Sequence, residues 1–279
     1  MTKVPHDLYP DSYNAMNSSI MGSLIKTKLR EDALELRRLV EKFSSAGSSI
    51  GATKEKMMRE IHLILTLMLG PPPNPNKEMT WEYYDKDEIF GSVHTTPLKF
   101  AAELSSKTTI QANIGADVHG LFSLVNDPRN TYGQLLSVSR LGNIYGMRGV
   151  RYVNVDMATI KTACISMLRS EIPIFFGSDV GKFSNSTSGI MDTDLIDFEL
   201  GFNIRLGLTK AQRLMTGESA MTHAMVMTAV HVVDGEPVRW RVQNSWGEGA
   251  GTRGWFVMSD RWMDEFVYQA VVDPRYVVV

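Results

Sequence analysis

Apolar residues recur at helical spacing in the first part of the chain. From Ser23 onward they return every three or four positions, which predicts an amphipathic helix that Ser23 caps. A second helix is predicted from its cap, Thr53, to Leu69, where Gly70 and three consecutive prolines end it. The Ser- and Gly-rich residues 44–49 form a linker between them, so we expect the two helices to form an αα-hairpin.

Short apolar runs bounded by turn residues predict strands later in the chain. These runs are residues 80–85, 121–125, 151–155 and 172–177. Asp156 is the expected N-cap of a helix that runs to Arg169, and Thr209 opens a shorter helix. Helices dominate the first part of the chain and strands the last part, which predicts an α+β protein. We place a helical domain at residues 1–120 and a β-rich domain at residues 121–279.

Two segments near the C-terminal end alternate in the strand period. The residues expected to share one face are His223, Met225, Met227 and Ala229 in the first segment, and Trp240, Val242 and Asn244 in the second. A hairpin through residues 234–237 would bring His223 and Asn244 together near its open end. An imidazole oriented by a side-chain amide is the base half of a cysteine–histidine–asparagine triad. Trp246 is placed to cover the hydrogen bond between them and to keep water from competing for it.

Composition narrows the classes of partner. The chain has 29 Lys and Arg residues against 31 Asp and Glu, a net charge of −2 that provides no general attraction to nucleic acid or to an anionic membrane. The longest apolar run, residues 63–69, is too short for a membrane-spanning helix, which needs about 20 residues. One cysteine excludes an intrachain disulfide, and a reducing intracellular setting follows as the simplest expectation.

Other polar residues lack the spacing of a metal or cofactor site. Asp192, Asp194 and Asp197 are not set in a glycine-bearing calcium loop, so we interpret them as a solvated acidic turn. Several histidines lack cysteine or histidine partners at zinc-binding spacing. These are His62, His94, His119 and His231. The sequence also lacks a phosphate-binding loop, so no cofactor and no metal are expected.

The motif His223-Ala224-Met225, the run Val-Gln-Asn-Ser-Trp-Gly at residues 242–247 and the segment 254–258 resemble the C-terminal half of papain-like cysteine peptidases. Further segments resemble the bleomycin hydrolase branch of that family in particular. They are residues 80–83, 85–87, 125–129, 176–182, 217–225 and 265–273. The resemblance covers nearly the whole chain, and its motifs are highly specific.

This resemblance implies a papain-like fold and a cytoplasmic thiol aminopeptidase that assembles as a homohexamer around an internal cavity. Its substrate would be a peptide or an aminoacyl compound, hydrolysed through an acyl-enzyme. His223 would be the general base and acid, and Asn244 its orienting partner. The helical hairpin from Ser23 to Leu69 would match an insertion that family members use for assembly. Some relatives bind nucleic acid through a basic channel, which the net charge of this chain does not support.

One part of the family pattern is missing. The family nucleophile lies in a Gln-…-Cys-Trp motif at the start of a long helix, whereas Cys164 follows Ala163 in an apolar helix and lies 59 positions before His223. The papain-type spacing is about 130–150 residues. We therefore interpret Cys164 as a buried thiol and expect an incomplete papain-like fold that is inactive alone, with the helical insertion followed by the β-rich C-terminal half. The alternative is a non-catalytic assembly scaffold derived from the peptidase.

Overall fold

The structure is a computed structural model that describes residues 18–42, 47–85, 87–104, 106, 117, 120–139, 141, 146 and 149–277. It divides into two compact units, Met1–Glu103 and Leu104–Val279. The predicted α+β class is confirmed, because the described residues contain seven α-helices and a ten-stranded sheet. Among these residues, no helix is long and apolar enough to cross a membrane.

Two helices in contact, α1 (Ser19–Lys42) and α2 (Gly47–Leu69), open the first unit. The helix predicted to start at Ser23 begins four residues earlier, because Gly22 donates its N–H to the Ser18 carbonyl at 2.8 Å and continues the helical turn. One glycine weakens a helix by about 1 kcal/mol without ending it. The linker prediction is wrong at residues 47–49, which are helical, and Thr53 is not the cap of α2, because the helix begins six residues earlier at Gly47. Residues 44–46 lie outside the described residues.

Lys28 links the two helices, and Gly70 ends the second one. The Lys28 ammonium lies 2.9 Å from the Asp32 carboxylate and 2.8 Å from that of Glu60, so it joins the two helices. Gly70 takes a left-handed φ of 81° and donates its N–H to the Thr66 carbonyl, which ends α2 as predicted.

A small hairpin completes the described part of this unit. The strands β1 (Met79–Tyr84) and β2 (Phe90–Thr95) are antiparallel, and α3 (Pro97–Leu104) follows. Trp81 is buried and meets Phe100 of α3 edge to face, with 5.4 Å between ring centroids. The sequence pattern predicted β1 but not β2.

The second unit carries the large sheet. Its strands are β3 (Phe122–Val125), β4 (Leu135–Ser137), β5 (Arg151–Asn154), β6 (Ile174–Ser178), β7 (Ser184–Asn185), β8 (Ile190–Met191), β9 (His223–Val233), β10 (Glu236–Gln243), β11 (Trp255–Ser259) and β12 (Val267–Val272). Its helices are α4 (Met157–Arg169), α5 (Phe198–Phe202), α6 (Lys210–Thr216) and α7 (Asp260–Phe266), with a 3₁₀ turn at Pro274–Tyr276. The strand order is β4-β5-β3-β12-β6-β9-β10-β11-β8-β7.

The core of this unit lies between the middle strands and the helices α4 and α7. Its largest fully buried side chains include Trp240 of β10, Trp262 of α7 and Phe256 of β11. The predicted caps hold the helices in place: Asp156 accepts the Thr159 N–H at the start of α4, as the sequence indicated. This rigid core positions the ends of β9 and β10, where the candidate residues lie.

Candidate active site

The hairpin of β9 and β10 carries both candidate side chains. A two-residue turn, Asp234-Gly235, joins the strands with φ angles of 51° and 89°, the positive values that a tight hairpin turn needs. The predicted hairpin is confirmed, but its turn is shorter than residues 234–237, because Glu236 already pairs with Val233. The open end of this hairpin begins at His223.

A β-bulge at Thr228 changes which residues of β9 face the core. Met227 lies opposite Val242, whereas Ala229 lies opposite the residue immediately before Val242, so Thr228 is an extra residue on its strand. Met227 is fully buried, Ala229 is exposed, and Val230 packs against the core instead. The predicted alternation is therefore correct as far as Met227 and wrong at Ala229, since the pattern gave no sign of the bulge.

The predicted pair of side chains meets at the open end. Nε2 of His223 lies 2.9 Å from Oδ1 of Asn244, and the backbone N–H of Ser245 donates to the same oxygen at 2.8 Å. Because a backbone N–H can only donate, Oδ1 must be an acceptor, and Nε2 of His223 must therefore carry the hydrogen. The neutral ring then presents the lone pair of Nδ1, which is the atom that can accept a proton.

Backbone contacts fix Asn244 in this orientation. Its N–H donates to the carbonyl of Gly254 at 3.0 Å, which closes the loop that follows β10. Gly254 has a φ of 86°, and a Cβ there would lie 3.4 Å from the carbonyl oxygen of Gly247. The glycine therefore allows a turn that another residue would strain. As a result, Asn244 is 8% exposed although it lies at the end of a strand.

Trp246 lies against the histidine, as its predicted covering role requires. The centroids of the Trp246 and His223 rings are 4.9 Å apart and the ring planes are inclined by 32°. Phe256 also meets the indole edge to face, with 5.9 Å between ring centroids. Trp246 is 45% exposed, so it shields one face of the imidazole and leaves part of its own surface to solvent.

Two buried polar atoms accompany the pair. Ser178 of β6 lies directly across the sheet from His223, and its hydroxyl is fully buried. Within the described ranges, neither the Ser178 hydroxyl nor Nδ2 of Asn244 has a hydrogen-bond partner. Unpaired buried polar atoms are costly. These two lie at the end of the sheet where His223 meets Asn244.

Cys164 lies in a different environment. It is fully buried in α4, in the same hydrophobic cluster as Ile160 and Met167. Burial raises the pKa of its thiol to about 12, so the reactive thiolate is scarce at neutral pH. The prediction of a buried thiol is confirmed, and Cys164 cannot act as an accessible nucleophile in this fold.

The remaining candidates have structural contacts. Asp197 caps α5 by accepting the Leu200 N–H, and Asp194 pairs with Arg261 at 2.8 Å. Three of the histidines contact nearby side chains: His62 contacts Thr66, His94 contacts Thr80 and His231 contacts Arg239. His119 lies outside the described residues. In the part of the chain that is described, His, Cys, Asp and Glu side chains do not form a group of three that could hold a metal.

Sequence reasoning missed one buried acid near the pair. Asp179 follows Ser178 and is 5% exposed, and its carboxylate accepts hydrogen bonds from the segment that leads into His223. Beside this segment lies a pocket of about 670 Å³ whose lining includes Met221 and Tyr268. The only sign in the sequence was an Asp in the run Ser-Asp-Val-Gly directly after an apolar strand. This run does not reveal the hydrogen-bond partners of Asp179, because they are distant in sequence.

A papain-like cysteine peptidase is the class of protein that this fold and this strand-borne histidine define, with an asparagine amide that orients the ring and a tryptophan that covers it. The chain belongs to the Peptidase C1-like family, whose model matches residues 2–279. This confirms the resemblance to the bleomycin hydrolase branch.

Named relatives agree with this assignment. Cysteine proteinase 1, mitochondrial, from Saccharomyces cerevisiae (strain JAY291) is 40% identical over 97% of this chain and 55% of the relative. Aminopeptidase C from Lactobacillus delbrueckii subsp. lactis is 36% identical over 98% of this chain and 59% of the relative. The crystal structure of PepW from Lactobacillus rhamnosis HN001 superposes with a TM-score of 0.85 at 39% identity, covering 98% of this chain and 59% of that one. The chain thus spans little more than half the length of these relatives.

Proposed function

We propose that this chain provides the base-bearing part of a cysteine aminopeptidase of the bleomycin hydrolase type. The observation that carries this proposal is the geometry of the pair: Nε2–H of His223 donates to Asn244, and Nδ1 remains free to accept a proton. Relatives named as a cysteine proteinase and as an aminopeptidase support the same activity.

In the proposed reaction, Nδ1 of His223 takes the proton of a cysteine thiol as the sulfur attacks the carbonyl of the substrate. The resulting imidazolium is stabilised by Asn244 and gives its proton to the departing amine, which leaves a thioester acyl-enzyme. Water then attacks the thioester while His223 takes the proton from that water and returns it to the sulfur. Trp246 protects the His223–Asn244 hydrogen bond from water throughout this cycle.

The thiol in this proposal is not Cys164, because that side chain is fully buried. Cys164 is the one cysteine of this chain. The nucleophile would lie in a Gln-…-Cys-Trp segment outside these 279 residues. It follows that the chain alone is inactive. Turnover by the chain alone that required the thiol of Cys164 would contradict this.

The test joins the chain to an upstream segment that carries the Gln-…-Cys-Trp motif and measures hydrolysis of a fluorogenic aminoacyl amide. We expect turnover that alkylation of the new thiol abolishes, that Cys164→Ala leaves in place, and that His223→Ala reduces by on the order of 10³-fold or more. His231→Ala is the matched control, since His231 is an exposed histidine on the same strand. Full activity in the joined His223→Ala chain would overturn the role of His223.

Assembly, substrate and location are further parts of the proposal. The substrate is a peptide or aminoacyl compound, and the apolar pocket beside Met221 offers room for a side chain. Exposed apolar residues on α2, among them Leu63 and Leu67, support assembly through this helix. The homohexamer itself is what the family resemblance implies, and sedimentation of the joined protein tests it. We propose the reducing cytoplasm as the location, since the reaction needs a free thiol. Nucleic-acid binding is not part of the proposal, since the net charge of −2 does not support it. If it occurred, the binding affinity would fall steeply as the salt concentration rises.

A non-catalytic scaffold remains the second candidate, favoured by the buried state of the one cysteine. The same assay separates the two functions. A scaffold would assemble in sedimentation experiments, yet it would give no turnover when the Cys-Trp segment is joined. We prefer the peptidase, because a chain that had lost catalysis has no reason to keep the orientation of His223 by Asn244 and its cover by Trp246.

A further inference from the structure

The segment that leads into β9 is tied to the neighbouring strand. Ser178 ends β6 and is the sheet partner of His223, and the N–H of Thr222 donates to the Ser178 carbonyl at 3.0 Å. Asp179 comes next, with its own N–H donating to the carbonyl of Phe266 at 3.0 Å. The backbone of Asp179 is therefore fixed between α7 and the approach to His223.

The Asp179 carboxylate accepts three hydrogen bonds from the four residues before His223. Oδ2 accepts from the Ser219 hydroxyl at 2.7 Å and from the Ala220 N–H at 3.3 Å, while Oδ1 accepts from the Thr222 hydroxyl at 3.2 Å. Asp179 is 5% exposed and Ser219 is 3% exposed. We call Asp179, Ser219, Thr222 and Tyr268 the Asp179 network.

Tyr268 closes the network from the far side. Its hydroxyl lies 2.6 Å from that of Ser219, and because Ser219 donates to Asp179, Tyr268 must donate to Ser219. Burial raises the pKa of Tyr268, which keeps this hydroxyl protonated as a donor. The direction of every hydrogen in the chain from Tyr268 to Asp179 is thereby fixed.

We propose that Asp179 is a positioning residue that holds the approach to β9 so that His223 meets Asn244. The proposal rests on the proposed function for its consequence in catalysis, but the positioning itself concerns only this chain. His223 is the first residue of β9, and it must keep a 2.9 Å contact with Asn244, which directly follows β10. A functional group has to be held within about 0.5 Å of its working geometry by supporting contacts.

A buried carboxylate held by neutral donors is expensive, which argues against packing as its whole purpose. An apolar residue would fill the same space without the desolvation cost. The carboxylate instead supplies two oxygens that bind three separate points of one segment, which an apolar side chain cannot do. Its contacts fall on residues 219, 220 and 222, immediately ahead of the candidate base.

The test uses Thr222, whose side chain is exposed and whose replacement should leave the fold intact. Thr222→Val keeps the shape and removes the hydrogen bond to Asp179, while Thr222→Ser keeps the hydroxyl. Thr228→Val is the matched control, because it makes the same change at the bulge of β9. For each variant, nitrogen NMR of the His223 ring measures the fraction of the Nε2–H tautomer and the exchange rate of that proton with water.

We expect Thr222→Val to speed the exchange of the His223 proton by about tenfold, the factor for loss of one hydrogen bond to a charged group. Thr222→Ser and Thr228→Val should stay within about twofold of the parent chain, a margin below the effect of one ordinary hydrogen bond. Asp179→Asn should reproduce the effect of Thr222→Val. The proposal is overturned if the His223 signals of Thr222→Val match those of Thr222→Ser, even where both variants melt at lower temperature.

These measurements need no turnover, so they separate this proposal from the proposed function. If the joined protein proves inactive while Thr222→Val still releases the His223 proton, the positioning role stands and the peptidase assignment falls. If activity is restored but the His223 ring is insensitive to Thr222→Val, the reverse holds. In an active joined protein, Thr222→Val should lower kcat because the base is displaced, whereas Thr222→Ser should keep the parent value.

Discussion

The core around α4 and the open end of the β9–β10 hairpin give Cys164 and His223 opposite environments. In the core, Cys164 is fully buried in a hydrophobic cluster and its pKa is raised to about 12. At the open end, His223 is half-buried, hydrogen-bonded to Asn244 and in contact with the tilted ring of Trp246. Access to solvent and an orienting partner therefore distinguish His223, which we propose as the catalytic base, from the buried thiol of Cys164.

The largest expected effect compares the two tryptophans of this region. Trp240 is fully buried, and its Nε1 donates to Asp260 at 3.0 Å. Trp240→Ala should reduce the free energy of unfolding by about 3–5 kcal/mol, since it leaves a large cavity and removes the hydrogen bond to Asp260. Urea unfolding followed by circular dichroism measures this loss. A cost below about 1 kcal/mol would show that the core near β10 can collapse around the change, and the contrast with the open end would be lost.

The core was also the part most accessible to sequence reasoning. The α+β class, the cap at Asp156, the helix to Arg169 and the buried thiol follow from apolar periodicity and capping chemistry, which act over a few residues. The bulge at Thr228 could not be predicted, because an extra residue in a strand does not change the composition of that strand in a recognisable way.

The candidate site likewise contains one contact that the sequence predicted and others that it could not predict. The meeting of His223 and Asn244 could be predicted because a short turn at Asp234-Gly235 fixes the register of the two strands. The contacts of Asp179 could not, since they join residues about forty positions apart and depend on the packing of several strands. Long-range hydrogen bonds are a property of the fold rather than of a local pattern.

The second prediction concerns the reactivity of Cys164. Because burial raises the thiol pKa from 9.0 to about 12, the thiolate fraction at pH 8 falls by roughly 10³-fold. We expect iodoacetamide to modify the folded chain at least that much more slowly than the chain unfolded in urea, as measured by mass spectrometry. Rapid alkylation of the folded chain would place Cys164 in an accessible environment and remove the contrast between core and open end.

The third prediction concerns Lys210 at the start of α6. The Lys210 ammonium donates to the carbonyls of Asp264 and Val267 at 2.8 and 2.7 Å and lies over the ring of Tyr268. Burial lowers the pKa of Lys210 to about 7, whereas in the unfolded chain it stays near 10.5. Between these values the unfolded state binds the extra proton, so raising the pH stabilises the folded state.

Lys210→Met removes this titration, and the comparison is between slopes rather than absolute stabilities, since the variant also loses two hydrogen bonds. The unfolding free energy of the parent chain relative to the variant should rise from pH 7 to pH 10 by at most ~1.4 kcal/mol per pH unit. Charged neighbours that share the site, Glu265, Asp264, Arg213 and Lys161, are present in both proteins. If the difference in unfolding free energy between the two proteins did not change from pH 7 to pH 10, the Lys210 ammonium would have to stay charged in the folded chain.

The smallest effect on stability is expected at Trp246, the counterpart of Trp240 at the open end. Trp246 is 45% exposed and contacts His223 and Phe256, so Trp246→Ala should cost about 1 kcal/mol, the scale of an aromatic contact and partial burial. Its effect should appear instead in the His223 ring, whose Nε2–H would exchange with water faster once the indole is gone. Trp246→Phe keeps an aromatic face and should keep most of that protection. If Trp246→Ala destabilised the fold as much as Trp240→Ala while the His223 proton exchanged at the parent rate, the indole would be part of the core rather than the cover of a base, and the distinction between these two environments would fail at its most direct test.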